Sequence, residues 1–111
     1  MSEPNGVSIV FVTAGQEEEA AAIGRTVVLE RLAACASVLP RITSVYWWKG
    51  EMCEEQEYLL ILKTQTGLFG ALQSRIRALH SYETPEIVAF PVAQGFEDYL
   101  RWVVKETGGR S

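Results

Sequence analysis

Cysteine and histidine are scarce in this sequence of 111 residues, which has two cysteines and one histidine. Cys35 and Cys53 stand far apart with no Cys-x-x-Cys pair, so the sequence predicts neither a zinc ribbon nor a disulfide framework, and it favours a reducing compartment. No Gly-x-Ser-x-Gly elbow, Gly-rich phosphate loop or His-Glu-x-x-His run is present. We therefore predict that the protein is not an enzyme and has no catalytic or cofactor-binding residues.

Positive charge and long apolar runs are also lacking. Ten Lys and Arg residues stand against fourteen Asp and Glu residues, which gives a formal net charge of −4. A chain with this balance lacks the positive field that phosphate backbones require, so we expect no nucleic acid partner. No apolar stretch approaches the length needed to cross a bilayer, and the polar start has no signal-peptide pattern. We expect no membrane partner and a cytoplasmic location.

The apolar pattern along the chain switches between the periods of strands and helices. Glu17, Glu18 and Glu19 stand where the first turn of a helix favours negative charge. The predicted elements are a strand, a helix, a hairpin, a second helix, a strand and a terminal helix, at residues 7–13, 15–35, 36–65, 68–79, 86–92 and 96–106. This order, β-α-β-β-α-β with an added helix, predicts an α+β fold of the ferredoxin-like βαββαβ sandwich type.

The chain is short enough to form one domain, and no linker or repeat divides it. We predict a single domain over residues 1–111, with an ordered core at about residues 7–106 and ragged ends at residues 1–6 and 108–111. The predicted hairpin turns at Lys49 and Gly50. Pro40 cannot donate to a strand ladder, so its arm is expected to bend there or to lie at a sheet edge.

The predicted strands are apolar on both faces. Consecutive apolar residues fill the strand centres at residues 9–12, 59–62 and 87–90, whereas a sheet with one face in water alternates apolar and polar residues. Such a surface exceeds what soluble monomers normally expose. We infer that other copies of the chain cover the second face in a homo-oligomer. The alternative is that the terminal helix alone covers it, with Phe96, Tyr99, Leu100 and Val103 facing inward.

His80 is open to two interpretations. At a helix C-terminus it is expected to hydrogen-bond the last carbonyls, which is a purely structural role. It is also a candidate ligand for copper or another divalent ion, with further donors from Glu83, Glu86, Cys53 or the His80 of symmetry-related chains. Cys35, placed at the end of a helical run, is most simply a small buried apolar residue, whereas Cys53 on the polar hairpin arm is expected to be accessible.

The hairpin tip carries an unusual number of aromatic residues. Tyr46 and Trp48 alternate with Val45 and Trp47, so each face of the arm is predicted to carry an aromatic side chain. Trp and Tyr are favoured anchors of protein interfaces, which indicates a neighbouring subunit. A platform on which a ligand stacks is the alternative.

Long blocks of the sequence resemble a known family. The blocks are "VTA", "RLAACASVLP", "SVYWWKGEMCEEQEYLLILKT", "YETPEIVAFPV" and "DYLRWV", in this order, across roughly residues 9–103. They resemble the CutA-type divalent-cation-tolerance proteins. The resemblance implies a homotrimer of ferredoxin-like subunits, similar in fold to the PII-type nitrogen signal-transduction proteins, and an association with tolerance to divalent metals, copper especially.

The resemblance also implies functional residues. Copper-binding members have a cysteine before the Thr-Ala of the first strand and two consecutive histidines, whereas Val12, Leu79 and His80 stand at those positions here, and Ser81 replaces a proline. The family pattern further implies a cleft between subunits, lined or supported by Trp48, Glu57, Lys63, Tyr82 and Glu83. Three hypotheses follow: direct binding of a divalent ion, a PII-like sensor of a small anionic metabolite near Lys63, and a stable structural trimer.

Overall fold

The computed structural model describes residues 6–108. The elements follow in the order β1, α1, β2, β3, α2, β4 and α3, at Val7–Ala14, Glu17–Leu29, Cys35–Trp48, Glu51–Gln65, Phe69–Leu79, Ile87–Pro91 and Glu97–Glu106, with a 3-10 turn at Thr66–Leu68. The strands form one antiparallel sheet in the order β2-β3-β1-β4. The predicted α+β fold is confirmed. Of the predicted ragged ends, residues 1–5 and 109–111 lie outside the described residues.

Helix α1 is shorter than the sequence predicted. It begins with three glutamates in its first turn, as expected, but it ends at Leu29 and not at Cys35. Arg31 has a φ of 65°, which leaves the right-handed helix, and the Ala34 amide then donates to the Lys63 carbonyl of β3. Cys35 is therefore the first residue of β2 and is only half-buried, so its interpretation as a buried residue at a helix end is wrong.

One face of the sheet is fully covered by α1 and α2. Apolar side chains of β1 and β3 pack against apolar side chains of α1 and α2, and those of the two strands have no solvent exposure. The set comprises Val10, Val12, Leu60 and Leu62 from the strands and Ile23, Val27, Leu72 and Ile76 from the helices. Gly24 allows the close approach of α1, because a Cβ there would lie 2.9 Å from the Ala36 Cβ. The predicted helix over residues 68–79 is thus confirmed as α2, whose buried side chains Leu72 and Ile76 lie four residues apart.

The second face is only partly covered. Helix α3 packs Leu100 and Val103 against one end of it, near Val7. Phe96 is 74% exposed, so the prediction that it faces inward is wrong; it precedes the first turn of α3 and does not lie on its packed side. Elsewhere on this face the Phe11 and Phe90 rings pack at 5.0 Å, and Phe90 remains 48% exposed. The terminal helix alone does not cover the face.

The long hairpin of β2 and β3 extends from the body of the sheet. Its register shifts between Leu39 and Ile42, around Pro40. Strand β2 lies at the sheet edge, which confirms the edge position, one of the two alternatives predicted from Pro40. Lys49 and Gly50 form the turn and both have positive φ, which two-residue hairpin turns require. Within residues 6–108, no helix is long and apolar enough to span a membrane.

Candidate functional site

An open pocket of about 640 Å³ lies between the hairpin and the segment that joins α2 to β4. Six residues of the sequence-predicted sites line it: Trp48, Cys53, Glu57, Tyr82, Glu83 and Glu86. Two predicted residues, His80 and Lys63, are not part of its lining. Because side chains two residues apart on a strand share a face, the regular alternation of β2 and β3 explains why Trp48, Cys53 and Glu57 meet on one side of the hairpin.

Glu57 and Tyr82 form the most buried polar pair of the pocket. The Tyr82 hydroxyl donates a 2.6 Å hydrogen bond to Oε2 of Glu57, whose residue is 6% exposed. Burial of the phenol, and then this hydrogen bond to a carboxylate, raise the pKa of Tyr82 well above its usual range. The proton therefore stays on Tyr82, and the pair joins β3 to the segment after α2.

A second tyrosine and glutamate pair stands nearer the hairpin tip. The Tyr46 hydroxyl donates to Oε1 of Glu55 at 2.8 Å, and this hydrogen bond, followed by desolvation, raises the pKa of Tyr46 to about 12. Tyr46 was predicted as an interface anchor, with a ligand-stacking platform as the alternative, and Glu55 was not predicted as a pocket residue. Tyr46 lies two residues from Trp48 on β2, and Glu55 lies two residues from Glu57 on β3. This spacing was the sequence signal that could have identified both as pocket residues.

His80 lies behind the pocket, with no exposed side-chain surface. Its Nδ1 accepts a hydrogen bond from the Tyr82 amide at 3.1 Å. Its Nε2 lies 2.8 Å from the Thr13 carbonyl oxygen, to which it donates because Nδ1 is already the acceptor of the neutral ring. His80 therefore connects the end of β1 to the segment that carries Tyr82.

Glu19 and Gly15 hold the same segment from the other side. The Glu19 carboxylate accepts hydrogen bonds from the amide and the hydroxyl of Ser81, at 2.7 and 3.1 Å. A Cβ at Gly15 would lie 3.0 Å from the Tyr82 hydroxyl, so the glycine leaves room for the ring. These contacts fix the direction in which Tyr82 enters the pocket.

The predicted metal ligands do not form a metal site within one chain. Both His80 nitrogens are engaged in hydrogen bonds, so neither presents a lone pair. Val12 is fully buried in the core, and its apolar side chain has no atom that could bind a metal ion. Between residues 6 and 108, no three His, Cys, Asp or Glu side chains are placed together to hold a metal ion. Cys53 and Glu83 share the pocket lining, but His80 does not join them.

Lys63 lies away from the pocket on β3. It pairs with Ile9 on β1 and with Cys35 at the start of β2, which is the end of the second face that α3 approaches. Within one chain, Lys63 therefore lies apart from Trp48, Glu57, Tyr82 and Glu83. Whether Lys63 serves a ligand in an assembled protein stays a prediction.

Comparisons with known proteins decide the family. The family of the CutA1 divalent ion tolerance protein matches residues 8–106 of this chain. The chain belongs to this family. The resemblance inferred from the sequence blocks is thereby confirmed. The Thermus thermophilus relative is named a divalent-cation tolerance protein, and neither its name nor that of the Mus musculus relative states an enzymatic activity.

Individual CutA relatives match most of the chain. The divalent-cation tolerance protein CutA of Thermus thermophilus is 48% identical over 100 residues, which are 90% of this chain and 97% of that protein. Protein CutA of Mus musculus is 47% identical over 104 residues, which are 94% of this chain but 59% of the mouse protein. A solved structure of the Thermus thermophilus protein has a TM-score of 0.89 at 47% identity, covering 92% of this chain and 99% of that chain.

Proposed function

We propose that this CutA-family chain is a cytoplasmic, non-enzymatic binding or regulatory protein of the response to divalent cations, and that the hairpin pocket takes its ligand. The observation that carries the proposal is the buried Glu57 and Tyr82 pair in an open pocket of ligand-sized volume. The free state of both Cys35 and Cys53 supports the cytoplasmic location.

The acting form in this proposal is a homotrimer similar to the PII-type proteins. Its support is the second face of the sheet, where Val88, Phe90 and Leu39 are each more than 40% exposed. Apolar side chains in such a continuous arrangement indicate a surface that another copy covers. Trp47, at 74% exposure on the opposite side of the hairpin from the pocket, supports a further contact of the hairpin tip with a neighbour.

Copper or another divalent ion is one proposed ligand. Within this proposal the donors are Cys53 and Glu83, which are predicted ligands that both line the pocket, and a second chain of the trimer completes the coordination. His80 acts as a positioning residue and not as a ligand, because its ring nitrogens hold Tyr82 and Thr13. Carboxylates line the pocket and would repel an anionic metabolite, so they do not support that alternative from the sequence. They also give no support to the other alternative, a scaffold without a ligand.

The test is metal titration of untagged protein by calorimetry with CuCl₂ and ZnCl₂, with the molar mass measured by light scattering. We expect the mass of three chains and a loss of affinity in Cys53→Ser and Glu83→Gln of about tenfold, the effect of roughly 1.4 kcal/mol. His80→Ala is expected to lower thermal stability and to keep the affinity of the wild type. Loss of metal binding in His80→Ala alone, with an unchanged fold by circular dichroism, would contradict the proposed donor set.

A further inference from the structure

His80 is the single histidine of the chain, and its side chain has no exposed surface. A second copy packed on the outside of the chain does not touch the ring, so the surroundings of the ring are those that one chain provides. In the neutral ring, Nε2 donates to the Thr13 carbonyl and Nδ1 accepts from the Tyr82 amide. Imidazole is the side chain that changes its charge between about pH 5 and 8. One of the two hydrogen bonds therefore depends on an unprotonated Nδ1.

A second acceptor already lies beside Nδ1 of His80. Oε2 of Glu19 is 3.5 Å from this nitrogen, just beyond the usual length of a hydrogen bond. The Glu19 side chain is 19% exposed, so protons from the solvent can reach the carboxylate beside the buried nitrogen. A proton on Nδ1 would make this nitrogen a donor, which the Tyr82 amide cannot accept and the Glu19 carboxylate can.

Two further features of the surroundings favour a charged ring. The His80 amide donates to the Ile76 carbonyl at the C-terminal end of α2, where the helix dipole favours positive charge. The centroids of the His80 and Tyr82 rings lie 4.7 Å apart, and an aromatic ring attracts a cation. The Tyr82 hydroxyl in turn donates to the Glu57 carboxylate. Burial of the ring and the charge of Arg77, in the last turn of α2, act in the opposite direction.

We propose that protonation of His80 is a switch that sets the position of Tyr82 in the hairpin pocket. In the neutral state the ring holds the Tyr82 amide, and the Tyr82 hydroxyl donates to Glu57. In the charged state Nδ1 donates to Glu19, Nε2 still donates to Thr13, and the Tyr82 amide loses its acceptor and turns away from the ring. The amide and the hydroxyl belong to one residue, so the hydrogen bond between Tyr82 and Glu57 is disturbed.

This switch would regulate the pocket that the proposed function assigns to the ligand, and the inference rests on the proposed function in this respect alone. Tyr82 and the following residue, Glu83, both line the pocket, so a movement of Tyr82 changes its wall. The neutral form of His80 keeps the wall in place. The charged form, whose population grows as the pH falls, disturbs it.

The experiment is NMR spectroscopy of untagged, metal-free wild-type protein between about pH 8 and 5. Labelling with ¹⁵N-histidine gives signals from one imidazole, because the chain has a single histidine, and the signals report its tautomer and charge. Uniform ¹⁵N labelling of a second sample gives the Tyr82 amide signal. We expect the neutral ring to carry its proton on Nε2, and the Tyr82 amide to shift as the ring takes up a second proton. A ring that stays neutral, or that is protonated with no change at Tyr82, would overturn the proposal.

Matched variants on α1 test the acceptor. Glu19→Gln removes the charge beside Nδ1 and keeps an oxygen for the Ser81 amide, and protonation of His80 is expected at a pH lower by about one pH unit or more. Glu18→Gln makes the same change in net charge in the same turn, at a side chain that is 81% exposed, and is expected to titrate as the wild type does. Equal titration of the two variants would overturn the proposed acceptor.

His80→Asn tests whether the imidazole causes the change at Tyr82, because carboxyl groups also titrate at acid pH. The Asn oxygen can accept from the Tyr82 amide but does not titrate, so this amide is expected to stay constant. A Tyr82 amide that shifts in His80→Asn as in the wild type would overturn the proposal. If His80→Asn does not fold, the comparison of Glu19→Gln with Glu18→Gln still decides.

Metal titration of the wild type at neutral pH separates the switch from the proposed function. A Tyr82 amide that follows the charge of His80, in a protein that binds neither copper nor zinc, would support the switch and remove the metal from the proposed function. Metal binding together with a Tyr82 amide that ignores the charge of His80 would overturn the switch alone.

Discussion

The two faces of the sheet differ in how completely one chain covers them. Against α1 and α2, the side chains of Val10, Leu60 and Leu62 have no exposed surface. On the other face, α3 closes only one end, and Phe90 and Val88 remain 48% and 42% exposed. Both faces are built from the same strands, so the difference arises from the helices and not from the strand sequences.

The two faces therefore have different roles, the first in folding and the second in the proposed function. The first face forms a continuous core, with α1 and α2 packed on it. The second face leads into the hairpin pocket, where Glu57 continues the alternation of Leu59 and Ile61 along β3 but is polar and paired with Tyr82. A strand that supplies core residues on one side thus supplies the pocket on the other, which is why pocket variants must be checked for stability as well as for binding.

The largest expected effect comes from truncating the first face. Leu62→Ala removes a fully buried side chain and is expected to lower the free energy of unfolding by about 2–5 kcal/mol. Leu29→Ala makes the same change at the end of α1, outside the second face, where the residue is 83% exposed, and is expected to cost less than half as much. Urea unfolding of both variants measures the contrast. Equal losses would mean that the first face contributes no more to stability than an exposed side chain does.

A smaller effect, on assembly and not on folding, is expected from charge on the second face. Phe90→Glu places a carboxylate beside Phe11 and is expected to weaken the association of chains by about 2 kcal/mol or more. Leu29→Glu adds the same charge at the end of α1, at a residue that is 83% exposed, and serves as the control. Light scattering over a dilution series gives the masses. An unchanged dilution profile in Phe90→Glu would remove the second face from the interface.

Local sequence patterns predicted the fold well, because the elements follow from short-range periodicity. The period of the apolar residues predicted a helix over residues 68–79, where Leu72 and Ile76, four residues apart, are buried, and Lys49 and Gly50 predicted the hairpin turn. The end of α1 was not predictable in the same way. Arg31 adopts a left-handed conformation that non-glycine residues rarely occupy, and only the tertiary contacts of the following residues explain it.

The candidate site was less predictable, because its key contacts join distant parts of the chain. Trp48, Glu57 and Tyr82 came from the family resemblance, and no local pattern indicates that Tyr82 reaches Glu57 across the sheet. His80 was correctly predicted at the end of a helix. Its two hydrogen bonds were not, since the Thr13 carbonyl it reaches belongs to the first strand.

The smallest expected effect concerns the hydrogen bond between Tyr82 and Glu57. Tyr82→Phe removes the donor to Glu57 and is expected to lower the free energy of unfolding by about 1 kcal/mol at neutral pH. The pKa of Tyr82 is raised in the folded chain, from about 10 in an unfolded one. The hydroxyl of Tyr82 therefore contributes fully to the free energy of unfolding below about pH 10, and this contribution is lost as the pH rises through the folded-state pKa.

Urea unfolding of wild type and Tyr82→Phe at pH 7, 9 and 11 measures this dependence. The difference between the two proteins is expected to be constant up to about pH 9 and smaller at pH 11, since the unfolded tyrosine then ionises more readily than the folded one. Tyr46→Phe removes the exposed counterpart at Glu55 and is expected to cost less at every pH. A difference that grows with pH would mean that the folded chain lowers the pKa of Tyr82 and does not raise it.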